Sequence, residues 1–305
     1  MRRIPIGIMV ALLLFSCGQS YEETKRITKA QRLKLLREDS AALKVGVLPT
    51  LDCLPIFLAK EHQLFDSAVD IRLKRFTAQM DVDTALTNHR VELGVTDIVR
   101  AERMKQQKVD IDYLTSTNAY WQLITNRTAR ITQLKHLDDR MLAMTRYSVT
   151  DLLGDLAVDS GKVKPERVFR IQINDVNIRL KMLENNEMDA LLMTEPQAAQ
   201  ARLLKHKVLL DTRQLDMQMG AIVVQKQGMD GKERKRQLEA FIKGYNRACD
   251  SINKHGLTHY GELVARYCQV KREAVDSAIQ KLKFPHVEKP REQDIERAKK
   301  WLTKK

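Results

Sequence analysis

Two stretches of this chain are written to the same pattern, and that repetition limits the folds available more than any other feature. "TNHRVELGVTD", residues 87–97, is matched by "NNEMDALLMTEP", residues 185–196. At a 97-residue offset, Leu86 pairs with Leu183, Asn88 with Asn185, Val91 with Met188 and Glu92 with Asp189. Each copy then runs through apolar residues to a polar pair, Thr96-Asp97 or Thr194-Glu195. A short apolar run bounded by turn residues reads as a buried strand. Two such units in one order point to two similar α/β lobes, each ending a strand on a Thr-acid pair. Independent convergence of two local structures is the competing account.

The surrounding residues carry the same alternation. "LKVGVLP" reads as a strand, "PIFLAKEHQLF" as a helix, and "VDIRLKRF" as a strand. Then come helix "VDTALTNHR", strand "VELGVTD", helix "IVRAERMKQQ" and strand "DIDYLTST". A second series starts near Tyr120 with "YWQLITN", "RMLAMTR", helix "VTDLLGDLAVDSG", strand "VFRIQIN", helix "VNIRLKMLENN" and strand "MDALLMTE". From "GAIVVQKQ" onward one more strand is expected and then only helices, packed back onto the first lobe. Strands alternating with helices predict a mostly parallel sheet covered on both faces. In such sheets ligands sit at the carboxyl ends of strands, beside exposed helix N-termini.

The first residues, "MRRIPIGIMVALLLFSCGQS", join a basic start to an apolar run from Ile6 to Phe15. That run is too short for a spanning helix of about 20 residues, so residues 1–16 read as a signal peptide. Leu14-Phe15-Ser16-Cys17 resembles a bacterial lipobox, which makes Cys17 an acylated mature N-terminus; a plain secretory signal is the alternative. Residues 17–43 are polar, with weak helical periodicity at Ile27, Leu33 and Leu36, and read as a tether.

Loss of residues 1–16 removes Arg2 and Arg3 and no acid, so the net charge of +14 becomes +12. Lys and Arg are spread along the whole chain, which fits solubility or attraction to anionic headgroups or an anionic solute; no nucleic-acid partner is expected. Aromatic residues make up only 5% of the chain, too few for a stacking platform. Beyond Cys17 the cysteines are Cys53, Cys249 and Cys268, an odd number. Cys249 and Cys268 either pair or remain buried thiols. His255 and His259 stand at i, i+4 but lack the Glu of a His-Glu-x-x-His helix. No Gly-x-Ser-x-Gly, phosphate-cradling loop or dinucleotide fingerprint occurs, so neither cofactor, metal nor catalytic residue is expected.

The order of segments resembles a known family. "LKVGVLPTLDCLPIFLAKEHQLF", "VDIRLKRFTAQMDVDTALTNHRVELGVTD" and "NNEMDALLMTEP" are similar to periplasmic solute-binding proteins of the sulfonate/nitrate/thiamine-precursor type, which feed ABC importers. Gln63 replaces the family's usual Gly before Leu64-Phe65, and "TRYSVTDLL" lacks its Gly-Ser element. The resemblance implies a two-lobed α/β fold of the type II periplasmic-binding class, with mixed, mostly parallel sheets flanked by helices and a helical C-terminal tail. The chain should cross between lobes near Thr117–Tyr120 and Thr212–Met219. Lobe 1 is then residues 44–119 plus 215–305, and lobe 2 residues 120–214.

Strand ends supply the candidate ligand-binding residues. In lobe 1 these are Thr50 and Asp52, Thr77 and Gln79, and Thr96 and Asp97, with helix capping as the competing role for Thr50, Asp52, Thr96 and Asp97. Trp121 at the first crossing either stacks on a ring or packs the hinge. In lobe 2, Arg146 stands where a guanidinium grips an acidic group bidentately, Ser148 follows a strand with helix capping as its competing role, Asn174 ends another strand, and Glu195 stands where it accepts from an amine. The reading is a lipid-anchored, monomeric solute-binding protein of the cell envelope that delivers a small polar or anionic organic molecule to a membrane permease. Its rivals are an enzyme of thiamine-pyrimidine or menaquinone-precursor synthesis on the same fold, and a solute-sensing adaptor lipoprotein.

Overall fold

A computed structural model describes residues 21–278 and 282–305. The expected signal peptide and Cys17 lie outside the described residues. The described residues fall into two compact units, one ending at Ala42 and the other running from Leu43 to Lys305. The first contains α1 (Tyr21–Ala41), a polar helix with Leu33, Leu35 and Leu36 exposed. No helix among the described residues is long and apolar enough to cross a membrane.

In the second unit, β1 (Leu43–Val47), α2 (Leu54–Glu61), β2 (Ile71–Arg75), α3 (Gln79–Thr87), β3 (Leu93–Asp97), α4 (Ile98–Gln106) and β4 (Ile111–Thr117) come first. Next are β5 (Trp121–Thr125), β6 (Arg140–Met144), α5 (Val149–Gly161), β7 (Val168–Gln172), α6 (Val176–Glu184), β8 (Ala190–Thr194), α7 (Gln197–Leu203) and β9 (Lys207–Asp211). Finally β10 (Gly220–Gln225) leads into α8 (Lys232–His255), α9 (Gly261–Cys268), α10 (Arg272–Ala278) and α11 (Glu292–Leu302).

The two five-stranded sheets follow one plan, β2-β1-β3-β10-β4 in lobe 1 and β7-β6-β8-β5-β9 in lobe 2. Three strands run parallel, the fourth is antiparallel to both neighbours, and the fifth restores the first direction. Lobe 2 takes its antiparallel strand from its own beginning, β5, whereas lobe 1 takes β10 from beyond lobe 2. The chain therefore passes between sheets at 118–120 and again at 212–219.

Both sheet faces are covered, which explains the continuous apolar runs. Ala190 and Leu192 of β8 join one core cluster, while Leu191 and Met193 join the other. Gly94 in β3 permits a close helix approach: a Cβ there would stand 2.7 Å from Leu86 Cδ1 and 2.8 Å from Val82 Cγ1 of α3. Gln63 makes its turn with φ 52°, so a residue with a side chain holds the left-handed conformation that glycine adopts more cheaply.

The tail differs from expectation in one respect. Helices α8 and α9 pack on α2 and α11 packs on α4, all in lobe 1, but α10 packs on α7 of lobe 2. Gln200 Oε1 of α7 accepts the Lys271 amide at 3.0 Å, and Gln197 Nε2 donates to the Cys268 carbonyl at 3.1 Å. In the last turn of α11, Trp301 Nε1 donates to Asp155 Oδ2 of α5 at 2.7 Å. These polar anchors give the tail a hold on both lobes. Cys53, Cys249 and Cys268 are all free and buried.

Candidate functional site

The carboxyl ends of β1, β3, β6 and β8 meet around a small, partly open cavity of about 50 Å³. Thr96 and Thr194, the threonines of the sequence repeat, both line it. An isolated antiparallel bridge between Ala78 of lobe 1 and Asp175 of lobe 2 joins the lobes beside the lining residues Thr77, Gln79, Asn174 and Val176. The Leu51 amide adds a second backbone link, donating to the Glu195 carbonyl at 2.8 Å.

In lobe 1, β1 runs out through Pro49 into Thr50 and a single 3-10 turn, Leu51–Cys53. Thr50 makes no side-chain cap bond there. Its hydroxyl donates instead to Asp52 Oδ1 at 2.6 Å, and Thr117 Oγ1 donates to Asp52 Oδ2 at 3.0 Å. Asp52 is buried and lines the cavity. Burial raises its carboxyl above the ordinary range, against the pull of the two hydroxyls. No cation lies within ion-pair distance of it among the described residues. Thr77 and Gln79, from the turn before α3, also line the cavity, as does Trp121. Trp121 holds the hinge as well: its amide donates to Thr212 Oγ1 and its carbonyl accepts the Thr212 amide, both at 3.0 Å.

Four of the sequence-selected residues are absent from the lining. Asp97 Oδ1 caps α4 by accepting the Arg100 amide at 3.0 Å, and burial pushes this carboxyl up to about 7. Ser148 caps α5 through the Thr150 amide at 3.1 Å. Arg146 is exposed, because the left-handed Tyr147 (φ 53°) turns the chain between it and the cap. Glu195 is consumed at the hinge: its Oε1 accepts Tyr120 Oη and Arg202 Nη1, each at 2.7 Å, and its Oε2 accepts the Ala199 amide at 3.0 Å. A carboxylate that already accepts three hydrogen bonds, one of them from a guanidinium, has little capacity left for a solute.

The guanidinium that does line the cavity comes from α6. Arg179 is 4% exposed. Its Nε donates to the Ile173 carbonyl and Nη1 to the Leu192 carbonyl, both at 2.6 Å, and Nη2 donates to Thr145 Oγ1. Three of its five N–H groups are thus used, and among the described residues no carboxylate lies within ion-pair distance. Burial pulls its pKa down to about 10, opposed by the charge of Asp175. The sequence signal was the helical phase: Arg179 shares a face with Val176 (i−3) and buried Leu183 (i+4), so a charge stands in the apolar stripe of α6. Thr145 and Thr150 complete the lobe-2 lining beside Asn174. Among the described residues no group of acids, cysteines and histidines is arranged to hold a metal ion.

Solved structures share this architecture. The alkanesulfonate-binding protein SsuA of Xanthomonas axonopodis pv. citri, bound to MOPS, aligns over 86% of this chain and 91% of its own, with a TM-score of 0.74 and 14% identity. The periplasmic aliphatic sulphonate-binding protein SsuA of Escherichia coli aligns over 87% of each chain, with a TM-score of 0.66 and 17% identity. The periplasmic nitrate-binding protein NrtA of Synechocystis PCC 6803 aligns over 77% of this chain and 69% of its own, with a TM-score of 0.63 and 13% identity. This is the periplasmic-binding-protein fold. At these identities the likeness is one of fold. No family model matches the sequence, and no curated protein matches it.

Proposed function

We propose that the protein is a solute-binding protein that captures a small polar or anionic organic molecule between its lobes and presents it to an ABC importer. The observation that carries this reading is the cavity at the strand ends of both sheets, where hydroxyl and amide side chains from both lobes stand among apolar residues such as Leu48, Val95 and Val176. Ligands of open α/β sheets bind at such strand ends. A solute touching both lobes favours closure by as much as it binds the closed state better than the open one. The aligned structures, named for sulfonate and nitrate binding, support the same assignment.

The lipid anchor is a separate part of the proposal. Leu14-Phe15-Ser16-Cys17 supports acylation at Cys17 and a place on the periplasmic face of a cell-envelope membrane. The ligand-binding set then comprises Thr50, Asp52, Thr77, Gln79, Thr96, Trp121, Thr145, Thr150, Asn174, Arg179 and Thr194.

A thermal-shift screen against sulfonates, pyrimidines, vitamins, amino acids and inorganic anions tests the capture function, because a binder raises the melting temperature by mass action. At least one class should do so, and Asn174→Ala should weaken the shift while Arg146→Ala leaves it intact. No shift with any class, or equal shifts in both variants, would remove the cavity from consideration.

A further inference from the structure

Only two of the residues lining the cavity carry an ionisable side chain, and they have opposite signs: Asp52 from lobe 1 and Arg179 from lobe 2. Both are buried, and neither has an ion-pair partner among the described residues. Other buried charges of the molecule are mostly paired, Asp97, which caps α4 through the Arg100 amide, being an exception. Arg100 is paired with Asp83, Lys44 with Glu92, and Asp294 with Arg291 and Arg297. An unpaired buried ion is strongly unfavourable unless something compensates it.

Both groups are steadied by neutral partners and keep capacity in reserve. Asp52 receives two hydroxyls, while an ionised carboxylate accepts about four hydrogen bonds. Arg179 retains two N–H groups. A monoanion on Arg179 would leave Asp52 uncompensated and add a repulsion, and a monocation on Asp52 would do the reverse to Arg179. A neutral molecule would compensate neither.

We infer that the cavity takes a compact zwitterion, its acidic group on Arg179 and its ammonium on Asp52. This rests on the solute-binding reading and narrows it to one charge pattern. Size agrees: about 50 Å³ holds roughly three to five water-sized positions at 10–15 Å³ each, the scale of a short amino acid. Because the two charges belong to different lobes, only a ligand bearing both draws the lobes together through charge at each end. The threonine hydroxyls, which both donate and accept, serve the rest of the skeleton without adding net charge.

Calorimetric titration of the purified protein with glycine and β-alanine, and with propionate and n-propylamine as forms lacking one charge, tests the inference. At least one zwitterion should bind about tenfold or more tightly than either singly charged compound. Asp52→Asn should erase the margin over propionate, and Arg179→Gln the margin over n-propylamine. Propionate or n-propylamine equalling both zwitterions on the unaltered protein overturns the inference without needing any variant to fold. So does a margin over propionate that survives in folded Asp52→Asn, or binding of another solute class with none of these four. In those cases capture between the lobes still stands; silence across the whole screen of solutes ends both readings.

Discussion

Each lobe buries an arginine near the cleft, and the two lobes treat it in opposite ways. In lobe 1, Arg100 of α4 donates through Nε and Nη2 to Asp83 of α3, and both side chains are almost completely buried. In lobe 2, Arg179 of α6 meets only two carbonyls and a hydroxyl. The sheets beneath them share one plan, so the contrast does not come from topology. It comes from placement: at the 97-residue offset Arg100 matches Gln197 and Arg179 matches Val82, so the two arginines stand on different helices of the shared plan, and only Arg100 faces an acid, Asp83. A paired charge is internal structure, whereas a charge left open to a cavity is available to a partner from outside.

Four experiments bear on that contrast. Asp83→Ala should cost about 3–5 kcal/mol in urea unfolding, because it strands a buried guanidinium. Arg179→Met should cost less, about 1–3 kcal/mol, since it removes an already uncompensated charge and orphans the Ile173 and Leu192 carbonyls; it should also abolish any solute-induced thermal shift. Equal losses for the two would mean that Arg179 is compensated after all.

The packing of the lobes differs in the same testable way. Gly94→Ala in lobe 1 drives a methyl into Leu86 and Val82 and should cost about 1–3 kcal/mol. Gly154→Ala in α5 of lobe 2, where a Cβ meets Leu142 Cδ2 at an ordinary 3.5 Å, should stabilise by about 0.5–1 kcal/mol through helix propensity.

The fourth experiment concerns pH. Burial pushes Asp97 up to about 7, above its unfolded value near 3.8, with the Arg100 guanidinium opposing and the Asp83 carboxylate adding to the rise. The folded state therefore binds more protons between these values, so stability is fully present below about 3.8 and is lost as pH rises through 7. Melting temperature measured from pH 4 to 8 should fall more steeply in the unaltered protein than in Asp97→Asn, which keeps a capping side chain. Parallel curves would show that Asp97 does not titrate in this range.

Much of the fold was legible in the sequence because its signals are local. Alternation of apolar runs and helical periods marked the strands and helices, and the doubled Thr-acid pattern marked the two strand ends where Thr96 and Thr194 now face one cavity. The site was legible only in part. Arg146 was a reasonable choice from its position after a strand, yet the left-handed turn at Tyr147 leaves it in solvent. Glu195 followed the same logic, but Tyr120, 75 residues away, and Arg202 occupy its Oε1 while the Ala199 amide takes Oε2. Arg179 carried a faint mark, a charge in an apolar stripe, which by itself fits a solvated helix face equally well.

The sequence alone determined the number of lobes and the order of their strands and helices, and it offered Asp97 as a helix cap, because neighbours within one or two turns settle these matters. Tertiary structure decided which charges stay unpaired. Ion pairing is fixed by distances of a few ångströms between residues that lie far apart in the chain, and Asp52 and Arg179 reach one cavity only when β1 and α6, on separate sheets, come together there.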